Sequence, residues 1–460
     1  MRATWCGCAW TAALLAALGA ARAAPISEVQ LAGSASGSWA NPSVSPDGKR
    51  IAYVSTEAGK SFVVVDGLAG KAYDHVDLGM PLLSPDGRRV AYWAREQGEA
   101  LVVADGAEGP HFKSASLPGP FLNNLQWSDN GKRLVYRVMQ GGAHIIVVTD
   151  QIQGKPYDNV SRPQLSADGS VVTYLARSAG TWFAVRNGEE IRQFPGLDDD
   201  ADFRAAAEFR VSPDGTAWAA VILTPAATSR VVTSWGADWT YDCDNLWQGD
   251  WNLTFARGER KESLVAGTSL TLSPDGKSVA FWTGRYNPKQ QSSDLSMTLN
   301  GKAASPPFRY VFGSRPVFSP DSLRLAYPVS LEPERWSLVV DGKQGPSYDE
   351  IGAITFSPDS RHVAYVAIRE GSQMVVLDGS EQRAYDNVGS VVFGPDGREL
   401  AYVAREGDSW RVVLGKQAGK PYAAILSGPR FVGPQTVVYV AQRDGIWRVQ
   451  QEAGGGPAPR

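Results

Sequence analysis

Short apolar runs that alternate with polar residues recur along almost the whole chain, each set off by a tight turn. Val90-Ala91-Tyr92-Trp93, Leu134-Val135-Tyr136, Val363-Ala364-Tyr365-Val366 and Leu400-Ala401-Tyr402-Val403 are copies of one such run. Their length and their β-branched and aromatic content predict strands. A second kind of run follows, such as Phe62-Val63-Val64-Val65 or Trp336-Ser337-Leu338-Val339-Val340. It usually ends in Asp-Gly or Asn-Gly, as at Asp66-Gly67, Asn300-Gly301 and Asp378-Gly379. That dipeptide predicts a two-residue hairpin, because both of its residues tolerate positive φ. A short apolar stretch such as Leu82-Leu83 or Val317-Phe318 precedes the first run. A Tyr-Asp pair recurs in a fourth short strand, at 73–74, 157–158, 241–242, 348–349 and 385–386. Each unit therefore predicts four strands.

Between the leading stretch and the first run stands a turn with one spelling. Ser45-Pro46-Asp47-Gly48, Ser84-Pro85-Asp86-Gly87, Ser212-Pro213-Asp214-Gly215 and Ser273-Pro274-Asp275-Gly276 carry it in full. Ser128-Asp129-Asn130-Gly131, Ser166-Ala167-Asp168-Gly169, Ser319-Pro320-Asp321-Ser322, Ser357-Pro358-Asp359-Ser360, Gly394-Pro395-Asp396-Gly397 and Gly433-Pro434-Gln435 are looser copies. Pro presets φ, Asp bonds the nearby backbone and Gly closes the turn. Most copies lie 37 to 46 residues apart, with an interval of 61 between Asp214 and Asp275. Four strands in about 40 residues is the size of one propeller blade. The expected fold is all-β, a β-propeller of four-stranded antiparallel blades with about ten units, over residues 24–452, followed by a flexible tail at 453–460.

These units resemble the TolB-type, WD-repeat-like propeller repeats, which carry the same Ser-Pro-Asp-Gly turn before a Val-Ala-Tyr strand. The resemblance runs from Ile26 to Gln451 and implies the fold, not an activity. TolB itself has an α/β domain ahead of a six-bladed ring, for which the chain leaves no room, so its Tol–Pal role is not carried over. The last unit supplies three strands and then stops, while Ile26 to Leu31 stands spare ahead of the first unit. One ring closed by that N-terminal strand is the expected arrangement; two five-bladed rings divided near residues 250–265 are the alternative.

Composition adds a compartment and removes some partners. Arg2, the apolar run Ala9 to Ala20 and Ala21-Arg22-Ala23 read as a signal peptide over residues 1–23. The run is too short to span a bilayer. A periplasmic or secreted product is expected, without membrane insertion. Cleavage would leave Cys243 as its single thiol, which excludes an intramolecular disulfide and Cys-rich zinc sites. The net charge of −3 comes without a basic stripe, so nucleic acid is not an expected partner.

No catalytic group announces itself. There is no Gly-x-Ser-x-Gly elbow. On the strand map His75 and His111 fall in outer strands, His144 starts a third strand and His362 a second, so they do not converge. Neither a metal nor a cofactor is expected. The turn aspartates read as local backbone partners, and the Tyr-Asp pairs as rim packing plus turn capping. Strand tryptophans such as Trp93, Trp282, Trp336, Trp410 and Trp447 read as core.

The departures from the repeat carry the functional reading. Pro195 to Glu208, Gln248 to Gly267 and Arg285 to Asp294 are insertions in consecutive units, the fourth to sixth, and strand counting puts all three on one face. Long loops on a rigid scaffold are where binding usually resides. Trp235, Trp239, Tyr241, Trp247 and Trp251 interleave there with Asp238, Asp242, Asp244 and Asp250. Flat rings beside carboxylates suit a sugar or a peptide; packing of an extra strand on the fifth blade is the plainer alternative. The candidate ligand-binding residues are Arg204, Trp239, Trp247, Asp250, Trp251, Arg257, Arg285 and Tyr286. The expected function is a non-enzymatic exported scaffold that binds an envelope protein, peptide or glycan. A carbohydrate-active propeller using paired carboxylates is the alternative.

Overall fold

The computed structural model describes residues 26–33, 39–77, 81–113, 125–140, 144–149, 152–153, 155–194, 209–224, 228–234, 238–242, 263–287, 292–308, 315–332 and 335–453. It is an all-β molecule of propeller type, whose described strands pair into ten antiparallel sheets, one to ten in chain order. Sheet one is typical, with strands Trp39–Val44, Ile51–Glu57, Lys60–Val65 and Leu68–Ala69 side by side. Sheet ten takes Ala424–Gly433, Thr436–Gln442 and Gly445–Glu452 from the end of the chain, and its fourth strand, Ile26–Gly33, from the other end. That pair is antiparallel, with Ile26 opposite Gln451 and Gly33 opposite Gly445.

The core lies between sheets. Trp93 of sheet two meets Tyr136 of sheet three edge to face at 5.4 Å, and Trp282 of sheet six meets Tyr327 of sheet seven in the same way. Alternation along each strand puts one face of every sheet against the preceding sheet and the other against the next. Trp93 and Trp282 are buried as expected, but Trp336, Trp410 and Trp447 are half-buried, at the hairpin end of the third strands of their sheets. A second correction concerns His75. It lies in His75–Val76, which pairs with Val90–Glu96 as part of the innermost strand of sheet two. Tyr73, two residues earlier, still bridges Ser61 of sheet one. The chain passes from the outer rim of one sheet to the inner strand of the next within two residues, leaving no link in which His75 could extend the outer strand.

The recurring turn is held from inside. In sheet two the buried Ser84 donates to Asp86 Oδ1 at 2.5 Å and accepts from Arg89 N–H at 2.9 Å, while Asp86 Oδ1 accepts from Arg88 N–H at 3.1 Å. The same three bonds recur around Asp168, Asp214, Asp275, Asp321 and Asp359. Neighbouring turns touch: Gly87 has φ +71°, and a Cβ there would come within 2.7 Å of Ser45 Cβ in sheet one. Arginines span the gap. Arg89 Nε donates to Asp105 of its own sheet at 2.7 Å, and its Nη1 donates to Lys132 O of the next turn at 2.7 Å. Arg324 does the same with Asp341 and Ser360 O. Sheet eight has His362 in this place, bonded to Asp378 at 2.6 Å, and sheet nine has Glu399, whose carboxyl is held above the usual range by burial and the neighbouring Asp396.

The bonds from Ser166 and from Ser170 push the Asp168 carboxyl down to about 2, and its counterparts Asp86, Asp275, Asp321 and Asp359 are lowered for the same reason. An unfolded aspartate titrates near pH 4. Because the folded values are depressed, the turns contribute stability that is fully present above about pH 4 and is lost as pH falls toward 2. The urea midpoint is expected to drop over that interval, and Asp168→Asn to drop less steeply than wild type. Parallel curves for the two proteins would contradict this.

Candidate functional site

The opposite face carries the hairpins between second and third strands. In most sheets these are tight; in sheet one, Glu57 pairs with Lys60 across Ala58-Gly59. Sheet six departs from this. Its second and third strands are Val279–Asn287 and Ser292–Leu299, paired out to Asn287 opposite Ser292, and its first strand, Ser263–Leu272, runs out beside them. The insertion from Arg285 to Asp294 therefore begins as an extension of the sheet, through Tyr286 and Asn287 on one strand and Ser292 and Ser293 on the other. Likewise Ser263 to Gly267, expected as loop, belongs to the first strand.

This extension places Arg285 between Leu264 and Asp294, and Tyr286 between Ser263 and Ser293. A close approach of the backbones fixes the hairpin just before them. Gly284 sits at φ +152°, where a Cβ would lie 2.0 Å from Asp294 O, so no side chain fits. The two candidate positions thus follow a point where the register is locked. Trp239 lies in Asp238–Asp242, opposite Val231, as part of the regular fourth strand of sheet five. That strand is the outermost of its sheet, not an extra one. Arg204, Trp247, Asp250, Trp251 and Arg257 lie outside the described residues, as does the insertion at 195–208. Of the eight candidates, the fold locates three, two of them adjacent on sheet six.

The same face contains recurring polar groups at the sheet boundaries. Tyr73 packs edge to face on Tyr92 of the next sheet, and Asp74 Oδ2 accepts from Gln97 N–H at the apex of that sheet's hairpin at 2.6 Å. Asp158, Asp349 and Asp386 cap Ala179, Glu370 and Gly407 in the same way, which matches the expected packing and capping. The sequence reading missed the next contact. Tyr73 Oη donates to Glu108 of sheet two at 3.0 Å, and Lys71 Nζ lies 2.7 Å from the same carboxylate. Those bonds, from Lys71 first and then Tyr73, hold the Glu108 carboxyl below its usual range. A spacing signal exists in Lys71-Ala72-Tyr73-Asp74, Lys155-Pro156-Tyr157-Asp158 and Lys420-Pro421-Tyr422, followed by a glutamate one unit later in the first two.

One further polar group follows the inner strand of sheet two. Asp77, at the end of the short inner strand of sheet two, has Oδ1 at 3.6 Å from His75 Nε2 and 3.9 Å from Arg95 Nε. Burial raises its pKa against the opposing charges of Arg95 and His75. Among the described residues no group of three or more His, Cys, Asp and Glu is arranged to hold a metal ion.

No protein-family model matches the chain, and no curated protein does. Solved structures do match. A eukaryotic initiation factor is 14% identical over 77% of this chain and 89% of its own, with a TM-score of 0.43. The Dos1 propeller is 9% identical over 93% and 95%, with a TM-score of 0.32. The β-propeller domain of Cps50 (Swd1) from Myceliophteria thermophila is 10% identical over 63% and 95%, with a TM-score of 0.29. At these scores the propeller assignment stands on the strand pairing itself, and the TolB-type resemblance on the repeated turn.

Proposed function

We propose that this protein is a non-enzymatic exported scaffold that binds a protein, peptide or glycan of the cell envelope through the long-loop face of sheets four to six. The observation that carries the reading is the three-strand extension of sheet six. It carries the pairing through Tyr286 and Asn287, two residues past the point where most other hairpins turn, with Arg285 at the last regular pair just after a register locked at Gly284. A paired extension holds such positions more rigidly than a loop, and less entropy is then lost on binding.

The reading places the ten sheets in one ring, closed by the N-terminal strand and related to the TolB-type repeats. What supports closure is the contact between sheets ten and one. Arg448 Nε donates to Asp47 O at 3.2 Å, and Ile51 of sheet one packs with Val440 and Ile446 of sheet ten.

The test is capture from a native envelope extract by wild type and by Trp247→Ala, Trp251→Ala and Arg285→Ala. Each variant is expected to lose capture while melting like wild type. A buried Trp truncated to Ala costs roughly 3–5 kcal/mol, so a large loss of stability in both tryptophan variants would place the rings in the core and sink the assignment. Protein purified from the same fraction is expected to begin at Ala24 by intact mass; a retained Met1 would contradict export.

A further inference from the structure

The fourth strand of sheet ten is not joined to its third by a hairpin, yet it reproduces the fourth strands that are. In sheets two, four and eight a glutamate of the fourth strand stands opposite a valine of the third: Glu108 opposite Val103, Glu190 opposite Val185 and Glu381 opposite Val376. Each of these glutamates accepts a hydrogen bond from a tyrosine of the preceding sheet, Tyr73, Tyr157 or Tyr348, at 3.0 to 3.3 Å. In sheet ten Glu28 stands opposite Val449. It accepts from Tyr422 Oη at 2.6 Å, with Lys420 Nζ at 3.1 Å and Arg443 Nη1 at 3.5 Å. The glutamate side chain is 15% exposed, so this place selects a carboxylate rather than tolerating one.

Two other positions of the strand are recognised. Ile26 packs on the cluster of Tyr422, Tyr439 and Val449, and Leu31 on that of Ile51, Val440 and Ile446. Ser27, Val29 and Gln30 are exposed. Main-chain pairing supplies affinity in strand addition, and pockets for alternate side chains supply specificity. The strand is tethered to sheet one through Ser34-Ala35-Ser36-Gly37-Ser38, a sequence with no apolar residue larger than alanine.

We propose that the edge of Gly445–Glu452 covered by Ile26–Gly33 is a strand-acceptor site. It reads an extended segment with Ile, Glu and Leu at the spacing of Ile26, Glu28 and Leu31. In cis the chain's own N-terminal strand fills it; in trans the occupant is the same strand of a second copy. The site is separate from the long-loop face and does not depend on it.

A tethered strand competes at an effective concentration of about millimolar, so the test weakens the cis strand in the full-length chain. Glu28→Lys is mixed with a fluorescent synthetic peptide of residues 25–33, and binding is read by anisotropy. The variant is expected to bind the native peptide, while wild type, already filled, does not. A peptide carrying Glu28→Lys is expected to bind the variant at least about tenfold more weakly, the size of effect associated with a charge-assisted hydrogen bond. Equal affinity for the two peptides overturns the carboxylate reading. Failure of the variant to take the native peptide overturns the acceptor site. If Glu28→Lys does not fold, Glu28→Gln replaces it with the same outcomes.

Discussion

A chain lacking Ile26 to Leu31 is expected to melt below the full-length protein and to associate as its concentration rises. The deletion removes the partner of Gly445–Glu452, so a strand now covered over seven register pairs becomes an open edge. Unpaired edges recruit other chains. It also uncovers Val449 and Ile446, which are fully buried, and strips Tyr422 and Lys420 of their carboxylate. Half-burial of Ile26 and Leu31 contributes roughly 2 kcal/mol together, and the bonds to Glu28 about 1.5–3 kcal/mol. Ordering of the deleted residues offsets part of this, so the open edge is the larger consequence. Light scattering across a dilution series beside a melting curve decides the matter. A deletion that stays monomeric and melts like wild type would show that the strand closes nothing.

Trp282→Ala is expected to destabilise the protein by about 3–5 kcal/mol. Trp282 is 1% exposed and meets Tyr327 at 5.4 Å and Phe308 at 6.4 Å, both edge to face. Leu295, Met297 and Val329 belong to the same cluster. The side chain therefore ties sheet six to sheet seven, and its removal leaves a cavity that two closely packed sheets fill only in part. Trp336→Ala is the control, because that ring is half-buried and its loss should cost less than half as much. Urea midpoints measure both. Equal losses in the two variants would mean that burial does not set the cost.

The strands were legible because each unit repeats the same turn and the same alternation. Ser-Pro-Asp-Gly states its own internal bonds, and the Tyr-Asp pairs read as rim packing plus turn capping, to which the structure adds the partners, a ring and a hairpin of the next sheet. The glutamate latch escaped notice because its partners lie 33 to 35 residues apart in neighbouring units, or 394 apart for Glu28 and Tyr422. Neither residue is informative alone. His75 was misplaced for a related reason: a step from rim to inner strand within two residues has no turn signal to mark it. The candidate site was legible as an address rather than as a geometry. Insertions break the repeat, and the repeat is what made prediction possible, so Arg285 and Tyr286 read as loop where the backbone continues as paired strand.

Ile26 and Gln451 are register partners, so the polypeptide almost closes into a covalent circle. Where that circle is broken is then independent of how the strands pair. A short linker from Glu452 to Ile26, with a new break at Asp341-Gly342, would leave every pairing in place and give circular permutation at no topological expense. The permutant would differ from the present chain in a single respect. Strand Ile26–Gly33 would be held by a covalent turn, and Lys343–Tyr348 would take over as the strand added from the opposite end.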